Sequence, residues 1–404
     1  TGTPDNDLAE ALAVGALFDP VPPASSLKGA MGHTLAAAGA LEAVIAAACI
    51  ERGLIPPNIG CRSPDPKLGL TPVQRPVHTV VNTVLSNSFG FGGNNAAVVI
   101  GRGGLPRGGQ VDPVSSPLRI RGWAGLSGAG HMVATLQRID QGLPSLGRVP
   151  EKLLDVDSAG IDTRRLKRLP RMALVLAAEA RRQSGSQDGP QAVFCGTGWG
   201  ALSETWDFLA RLQATGERFA SPTDFIGSVH NAAAGCVALE HQARGANVTT
   251  TGGDHSFEQS LLAAQLTAPD GSPSLLLAVD EAHAQLTPLI DPAAGRRFEA
   301  LSDGGGALWI ARASRPLSPW SRLRFFGRAF DNREAVDAAV RELDAAAVRE
   351  RYGLILVGIP ASRRPRGVRQ LRRFQDRCAY HGPVVDYRPL LGEYPSVSAL
   401  AATL

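Results

Sequence analysis

The sequence predicts an α/β fold, with helices layered on the faces of a sheet. Three observations predict it. Strand-like and helix-like stretches alternate along most of the 404 residues, and alternation over a chain of this size favours a sheet with helices on its faces. The composition, 44% apolar and 19% charged, is that of a globular chain with enough apolar side chains for a large core. The chain also echoes itself at long range, so one module is read twice.

Taken in order, the first piece covers 1–102. It holds a helix over 5–17, an alanine-rich helix over 34–52 that reads as buried, and a closing strand, "NNAAVVIG", at 94–101. Residues 103–117 are dense in Gly, Pro and Ser and read as a linker, because such a segment has little apolar surface to offset the entropy of ordering it. A second domain, 118–315, opens with the apolar strand "LRIRGWAGLSG". Further strands fall in 192–198, 247–253, 274–282 and 305–313, with helices over 171–183, 200–213, 230–243 and 256–268. The last piece, 316–404, holds one long Ala/Arg/Glu helix over 333–351 and the strand "YGLILVGI" at 352–359.

Composition narrows the class. The net charge is only +4, and four of the 41 basic residues are lysines, so nothing marks a nucleic-acid surface. Basic runs at 164–171 and 362–373 offer a dock for an acidic partner but read more simply as solvated faces. The five cysteines form no C-x-x-C pair, which suits a reducing, cytoplasmic setting and offers no zinc framework. Cys378 and His381, a lone C-x-x-H, are not read as metal ligands. The N-terminal residues lack the basic and apolar regions of a secretory signal. The most apolar run, 34–50, contains Glu42 and is short for a membrane span, so none is expected.

The echo decides the reading. Setting "SLKGAMGHTLAAAGAL" (26–41) above "DYRPLLGEYPSVSALA" (386–401) aligns Gly32 with Gly392, Lys28 with Arg388 and His33 with Glu393. The same offset of 360 positions sets Thr1–Thr3 beside 361–363, just after a strand. Two echoes at one offset indicate a duplicated module.

Three stretches carry chemistry. In "SSLKGAMGHTLAAAGA" a lysine and a histidine flank a glycine turn that opens a helix. A histidine there can donate from Nε2 to a developing enolate or oxyanion, and a lysine can hold a carboxylate; the plain alternative is a capping histidine and a surface lysine. In "LSNSFGFGGNNAAVV" (85–99) glycines let backbone N–H groups approach a ligand walled by phenylalanines. Residues 249–264, "TTTGGDHSFEQSLLAA", read as a strand end, a two-glycine turn and a helix start, the geometry that exposes a nucleophile. The apex, however, is Gly253, Asp254 or His255, and none of these is Cys, Ser or Thr.

Together and in this order, the stretches at 26–41 and 85–99 resemble the C-terminal half of the β-ketoacyl synthases, condensing enzymes of the layered αβαβα thiolase-like fold, with mixed sheets and buried helices. "TGTPDND" resembles the end of that family's H-G-T-G-T motif. The resemblance covers 1–102 and implies that His33 is the second active-site histidine, which helps decarboxylate the malonyl extender and stabilises the enolate. It implies that Lys28 is the supporting lysine and that Phe91 lends its backbone N–H to the oxyanion hole and gates the pocket. Thr1 and Thr3, with Phe89, Gly92 and Gly93, would line the substrate site. The first histidine would sit before Thr1 and the acyl-accepting cysteine further upstream, so the chain reads as a window cut from a longer ketosynthase–chain-length-factor fusion.

Residues 118–315 resemble the family's N-terminal half, and 316–404 a partial, degenerate C-terminal half. There the cysteine's position falls on Asp254, to within one residue. The lysine's falls on Arg388, the second histidine's on Glu393 and the first histidine's near Ile359. This unit is similar to chain-length factors, partners without a nucleophile. The implied activity is that of a 3-oxoacyl-(acyl-carrier-protein) synthase, a decarboxylative Claisen condensation of acyl and malonyl thioesters in fatty-acid or polyketide assembly. The implied partners are an acyl carrier protein and a ketosynthase subunit or second copy, with no cofactor and no metal. The alternative is a chain-length-factor-like structural partner throughout, and 1–102 packed in cis on 118–315 is a further expectation.

Two decoys are set aside. "GTGWGA" (196–201) resembles a dinucleotide fingerprint, but the acid about 20 positions on is Glu217, within a loop. A tight strand-to-helix turn accounts for it without a nucleotide-dependent oxidoreductase. His255, beside Asp254 and Glu258, reads as a polar remnant, and Cys236 as a small core residue.

Overall fold

Alternating side chains build the main sheet. The computed structural model describes residues 2–90, 95–103, 118–155, 163–294, 301–312 and 332–404. The chain divides into two units, Thr1–Val111 and Asp112–Leu404. The expected linker at 103–117 lies, from 104 onward, outside the described residues.

In the first unit, α1 (Pro4–Leu17) starts with a proline, and Asp5 and Asp7 sit at its positive end. A short α2 (Lys28–Met31) precedes α3 (Ala38–Arg52), which closes on Gly53 in the left-handed conformation. β1 (Leu54–Ile55) pairs antiparallel with β2 (Val77–His78), and β3 (Thr83–Phe89) with β4 (Asn95–Gly101). α3 packs on the β3–β4 hairpin. Its Gly39 allows the approach, since a Cβ there would stand 3.3 Å from Ser88 Oγ. The expected buried helix over 34–52 needs correction on two counts. Leu35–Ala37 form a separate 3₁₀ turn, and within α3 only Ala46 and Ile50 are buried while Val44 is 68% exposed. A two-stranded hairpin covers one stripe of a helix and leaves the rest bare.

The second unit contains β5 (Leu118–Ser127), β6 (Gly130–His131), α4 (Met132–Asp140), α5 (Arg168–Ser184), β7 (Ala192–Gly196), α6 (Leu202–Ala214), α7 (Pro222–Ser228), α8 (Ala232–Glu240), β8 (Asn247–Thr250), α9 (Ser256–Thr267), β9 (Pro273–Asp280), α10 (Thr287–Ile290) and β10 (Gly304–Arg312). The strand order is β6-β5-β10-β9-β7-β8. β7 runs parallel to β8 and β9, whereas β10 runs antiparallel to β9 and β5. Period-two alternation sorts the strands onto two faces. Val193, Leu275, Leu277 and Trp309 pack with Met172 and Leu176 of α5, while Phe194, Leu276 and Ile310 pack with Phe257 and Ala264 of α9. Both faces are covered, so the strands are apolar throughout. Buried Arg168 grips Asp303 through Nε at 2.7 Å and Nη2 at 2.8 Å, a bidentate pair that also holds the Val149 N–H.

Residues 332–404 add α11 (Asn332–Leu343), α12 (Ala345–Arg351), β11 (Ile355–Val357), α13 (Arg364–Cys378), β12 (Val384–Asp386), α14 (Arg388–Leu391) and α15 (Val397–Ala401). β11 and β12 pair in parallel. The single helix expected over 333–351 is two, because Asp344 adopts φ +61° and its side chain accepts from the Ala346 N–H, capping α12. The basic run at 362–373 is not simply a solvated face: it forms α13, whose Arg373 and Arg377 both reach Asp337. α15 lies against the sheet, with Ala399 in the same cluster as Phe257 and Leu276.

The 360-residue echo is present in three dimensions. α1 begins at Pro4 and α13 at Arg364, and α2 begins at Lys28 and α14 at Arg388. Each short helix ends on a glycine at positive φ, Gly32 at +80° and Gly392 at +117°, whose N–H donates back to the helix's first carbonyl at 2.8 and 2.9 Å. Among the described residues, no helix is long and apolar enough to cross a membrane.

Candidate functional site

In the first copy Lys28 is half-buried and His33 lies at the surface. Lys28 opens α2, and its Nζ lies 3.3 Å from Glu42 Oε1 of α3, with both side chains about one-fifth exposed. Gly32 ends that turn, and His33 follows, exposed. Its Nδ1 accepts from the Leu35 N–H at 3.1 Å, which places the neutral ring's proton on Nε2, the outward nitrogen. Leu35 itself takes φ +52°, a left-handed conformation that is costly for a bulky residue and sits two positions from the histidine. Phe89 ends β3 at the mouth of the hairpin, and Thr3 precedes α1 in an extended conformation without a side-chain capping bond. Thr1, Phe91, Gly92 and Gly93 lie outside the described residues.

The second copy is built around the strand–turn–helix of 247–267. β8 ends at Thr250, Gly253 takes φ +57°, and Gly253–His255 form a 3₁₀ turn leading into α9. Ser256 Oγ accepts from the Gly252 N–H at 3.0 Å and donates to the Gly253 carbonyl at 2.7 Å, so the helix start braces its own turn. Thr250 Oγ1 donates to the Ser256 carbonyl at 2.8 Å. This rigid bend presents Asp254, one-third exposed, at its apex.

Asp254 meets the echoed positions. Its Oδ1 accepts from Arg388 Nη2 at 2.6 Å, while Arg388 Nη1 donates to Glu393 Oε1 at 2.8 Å. Arg388 and Glu393 are buried, with side chains 3% and 5% exposed. Glu393 Oε1 also accepts the Ala361 N–H at 3.1 Å. Asp386 completes the set: Oδ2 takes Arg364 Nη1 at 2.7 Å, and Oδ1 takes the Ile359 N–H at 3.3 Å. Burial disfavours the Arg388 cation, but the carboxylates of Asp254 and Glu393 more than offset this and hold it protonated. Burial raises the Glu393 pKa, and Arg388 and the Ala361 N–H counter that only in part.

Sequence reasoning named Asp254, Arg388, Glu393 and the loop near Ile359 as altered positions without joining them. The signal was available, since one cation and two acids at echoing sites are complementary in charge. Asp386 and Arg364 were missed, because nothing in the chain's periodicity marks them as neighbours. The glycine turn at 196–201 also finds its explanation: the N–H groups of Gly198 and Trp199 donate to buried Asp280 Oδ1 at 2.9 and 2.7 Å, so a side-chain carboxylate takes the amides a phosphate would need. His255 is exposed, and no group of His, Cys, Asp and Glu suited to a metal occurs among the described residues. Cys236 is half-buried on α8, and burial pushes its thiol up to about 11.

Parts of the chain match known proteins. Residues 1–62 match the family described as β-ketoacyl synthase, C-terminal domain, and residues 156–287 match β-ketoacyl synthase, N-terminal domain. The 3-oxoacyl-(acyl-carrier-protein) synthase 1 of Escherichia coli strain K12 is 40% identical over 102 residues, covering 25% of each chain. The corresponding mitochondrial synthase of Arabidopsis thaliana is 39% identical over 106 residues, 24% of this chain and 23% of its own. The chain thus spans about a quarter of the length of these curated relatives. Among solved structures, the PfaC keto synthase–chain length factor superposes with a TM-score of 0.75 at 18% identity, covering 99% of this chain and 53% of that one. A type II PKS ketosynthase in complex with its acyl-carrier protein superposes with a TM-score of 0.54 at 13% identity, covering 71% of this chain and 89% of that one. The fold is thiolase-like, and two stretches of the chain match β-ketoacyl synthase domains, the C-terminal-domain match coming first.

Proposed function

We propose that this chain serves the decarboxylative Claisen condensation of acyl and malonyl thioesters, as an acyltransferase-class component of fatty-acid or polyketide assembly in the cytoplasm. In this reading, 1–102 is the C-terminal half of a ketosynthase, 103–117 a linker, 118–315 a ketosynthase-like N-terminal half without its nucleophile, and 316–404 a partial, degenerate C-terminal half. His33 donates from Nε2 to the enolate formed when the malonyl group loses CO₂, and Lys28 supports it electrostatically. Phe91 contributes a backbone N–H to the oxyanion, and Thr1, Thr3, Phe89, Gly92 and Gly93 line the substrate. The attacking sulfur comes from another ketosynthase piece, and the acyl groups arrive on an acyl carrier protein.

A single observation carries the reading. At the strand–helix turn, where a nucleophile would stand, the second unit holds the carboxylate of Asp254, paired to buried Arg388. A carboxylate so paired is a poor nucleophile, and an acyl group transferred to it would form a labile anhydride in place of a thioester. The second unit is therefore a non-catalytic partner in the manner of a chain-length factor.

The test has two arms. Incubated with a radiolabelled acyl thioester of acyl carrier protein, the chain is expected to take no label on the peptide spanning 249–264, and label there would overturn the reading. Combined with a ketosynthase piece bearing a reactive cysteine, it is expected to support condensation, and His33→Ala to slow that reaction by about 10²–10⁴-fold. An unchanged rate in the variant would remove His33 from the mechanism.

A further inference from the structure

We propose that Asp254, Arg388 and Glu393 form an ionic latch, with Arg388 and Glu393 buried and Asp254 at its one-third-exposed outer end, that holds the C-terminal segment and the loop at 361–363 against the strand–helix turn at 252–256. The proposal deepens the reading of the second unit as non-catalytic, and rests on it for the origin of Asp254 at a nucleophile's position.

The geometry is that of a two-sided grip. Arg388 spends one terminal nitrogen on Asp254, 134 residues away in sequence, and the other on Glu393, five residues on. A planar guanidinium between two carboxylates fixes direction as well as distance, which a lysine at the same place would not. Glu393 passes the constraint on through the Ala361 N–H, and Asp386 repeats it through Arg364 and the Ile359 N–H. The loop before α13 is therefore held at both ends by acids that flank Arg388. Asp254 also precedes the first turn of the 12-residue α9, where a negative charge is favoured.

Burial gives the latch its all-or-none character. Ions taken out of water gain little net stability as a complete set, but a survivor left without its partner is strongly disfavoured. The three side chains thus specify one placement of the C-terminal segment over its alternatives. In the first copy the corresponding Lys28 reaches Glu42, eleven positions beyond its own helix.

Asp254→Cys reads the latch directly. A thiol beside Arg388 and ahead of α9 becomes a thiolate at lower pH than an ordinary cysteine. Site-resolved iodoacetamide alkylation of the full chain should show a midpoint at least one pH unit lower in Asp254→Cys than in Asp254→Cys/Arg388→Met. Equal midpoints would overturn the latch. In parallel, Arg388→Met should speed hydrogen exchange at Ala361 and in 397–403 by at least tenfold while β7 and β9 keep their rates, and uniform acceleration across the unit would reduce the set to general stability. Should Arg388→Met not fold, Asp254→Asn removes only the outer arm and is expected to give about a threefold local acceleration; none would overturn the proposal. Acylation of Asp254→Cys by an acyl carrier thioester would count against the non-catalytic reading alone and leave the latch standing.

Discussion

The segments at 28–33 and 388–393 share a backbone and differ in nearly everything else. Each is a one-turn helix ended by a glycine at positive φ, with the same return hydrogen bond. In one, exposed His33 bonds a near neighbour, and half-buried Lys28 pairs with Glu42 of α3. In the other, Arg388 and Glu393 are buried and tied to a turn far away in sequence. The comparison teaches that the turn is the inherited element and the charges are what specialises it. Outward groups are available to a substrate, whereas inward ones are consumed by the fold.

The largest expected effect breaks the comparison at its cations. Arg388→Met leaves buried Glu393 and the one-third-exposed Asp254 without a counter-ion and should destabilise the second unit by about 3–5 kcal/mol, whereas Lys28→Met should cost the first unit less than about 1 kcal/mol. Urea denaturation of the full chain, followed by exchange-resolved signals from each unit, measures both. Comparable losses would mean that the two turns carry equal loads.

Next comes pH. The second unit also buries Glu204, whose Oε2 finds no partner among the described residues. Burial, with the Glu281 carboxylate nearby, pushes Glu204 up to about 8. A carboxyl raised in the folded state stabilises it below the ordinary carboxylate range, and that contribution is lost as pH rises towards 8. Glu204→Gln should therefore gain about 3 kcal/mol relative to the parent at pH 7 and nothing at pH 4. A parallel pair of stability–pH curves would refute it.

The smallest effect tests the shared turn. A Cβ on Gly392 would stand 2.5 Å from Ser302 Cβ, whereas around Gly32 nothing lies within 4 Å. Gly392→Ala should cost about 2–3 kcal/mol, from strain and overpacking together. Gly32→Ala should cost about 1 kcal/mol, from its backbone conformation alone. Thermal melts of the two variants distinguish them, and equal losses would show that packing around Gly392 adds nothing.

Much of the fold was legible in the chain. The strands at 192–196, 247–250, 273–280 and 304–312 follow from apolar runs bounded by turn residues, and the turn before α9 from its paired glycines. These are local signals, set by backbone preference and side-chain alternation. The break at Asp344 was hidden, because alanine and arginine favour a helix on either side of it. So was the bareness of α3, since amphipathic and fully apolar helices alike expect a cover that a hairpin only partly supplies.

The order of elements, the echo at an offset of 360 positions and the absence of Cys, Ser and Thr from 252–255 were settled by the sequence, because each is written in neighbouring residues or in one fixed offset. That Asp254, Arg388 and Glu393 meet, and that Asp386 and Arg364 stand beside them, was decided by tertiary structure alone. Charge complementarity across 134 residues has no local signature: it exists only once packing has removed water and brought the ions within a few ångströms, where Coulomb attraction and desolvation are both large.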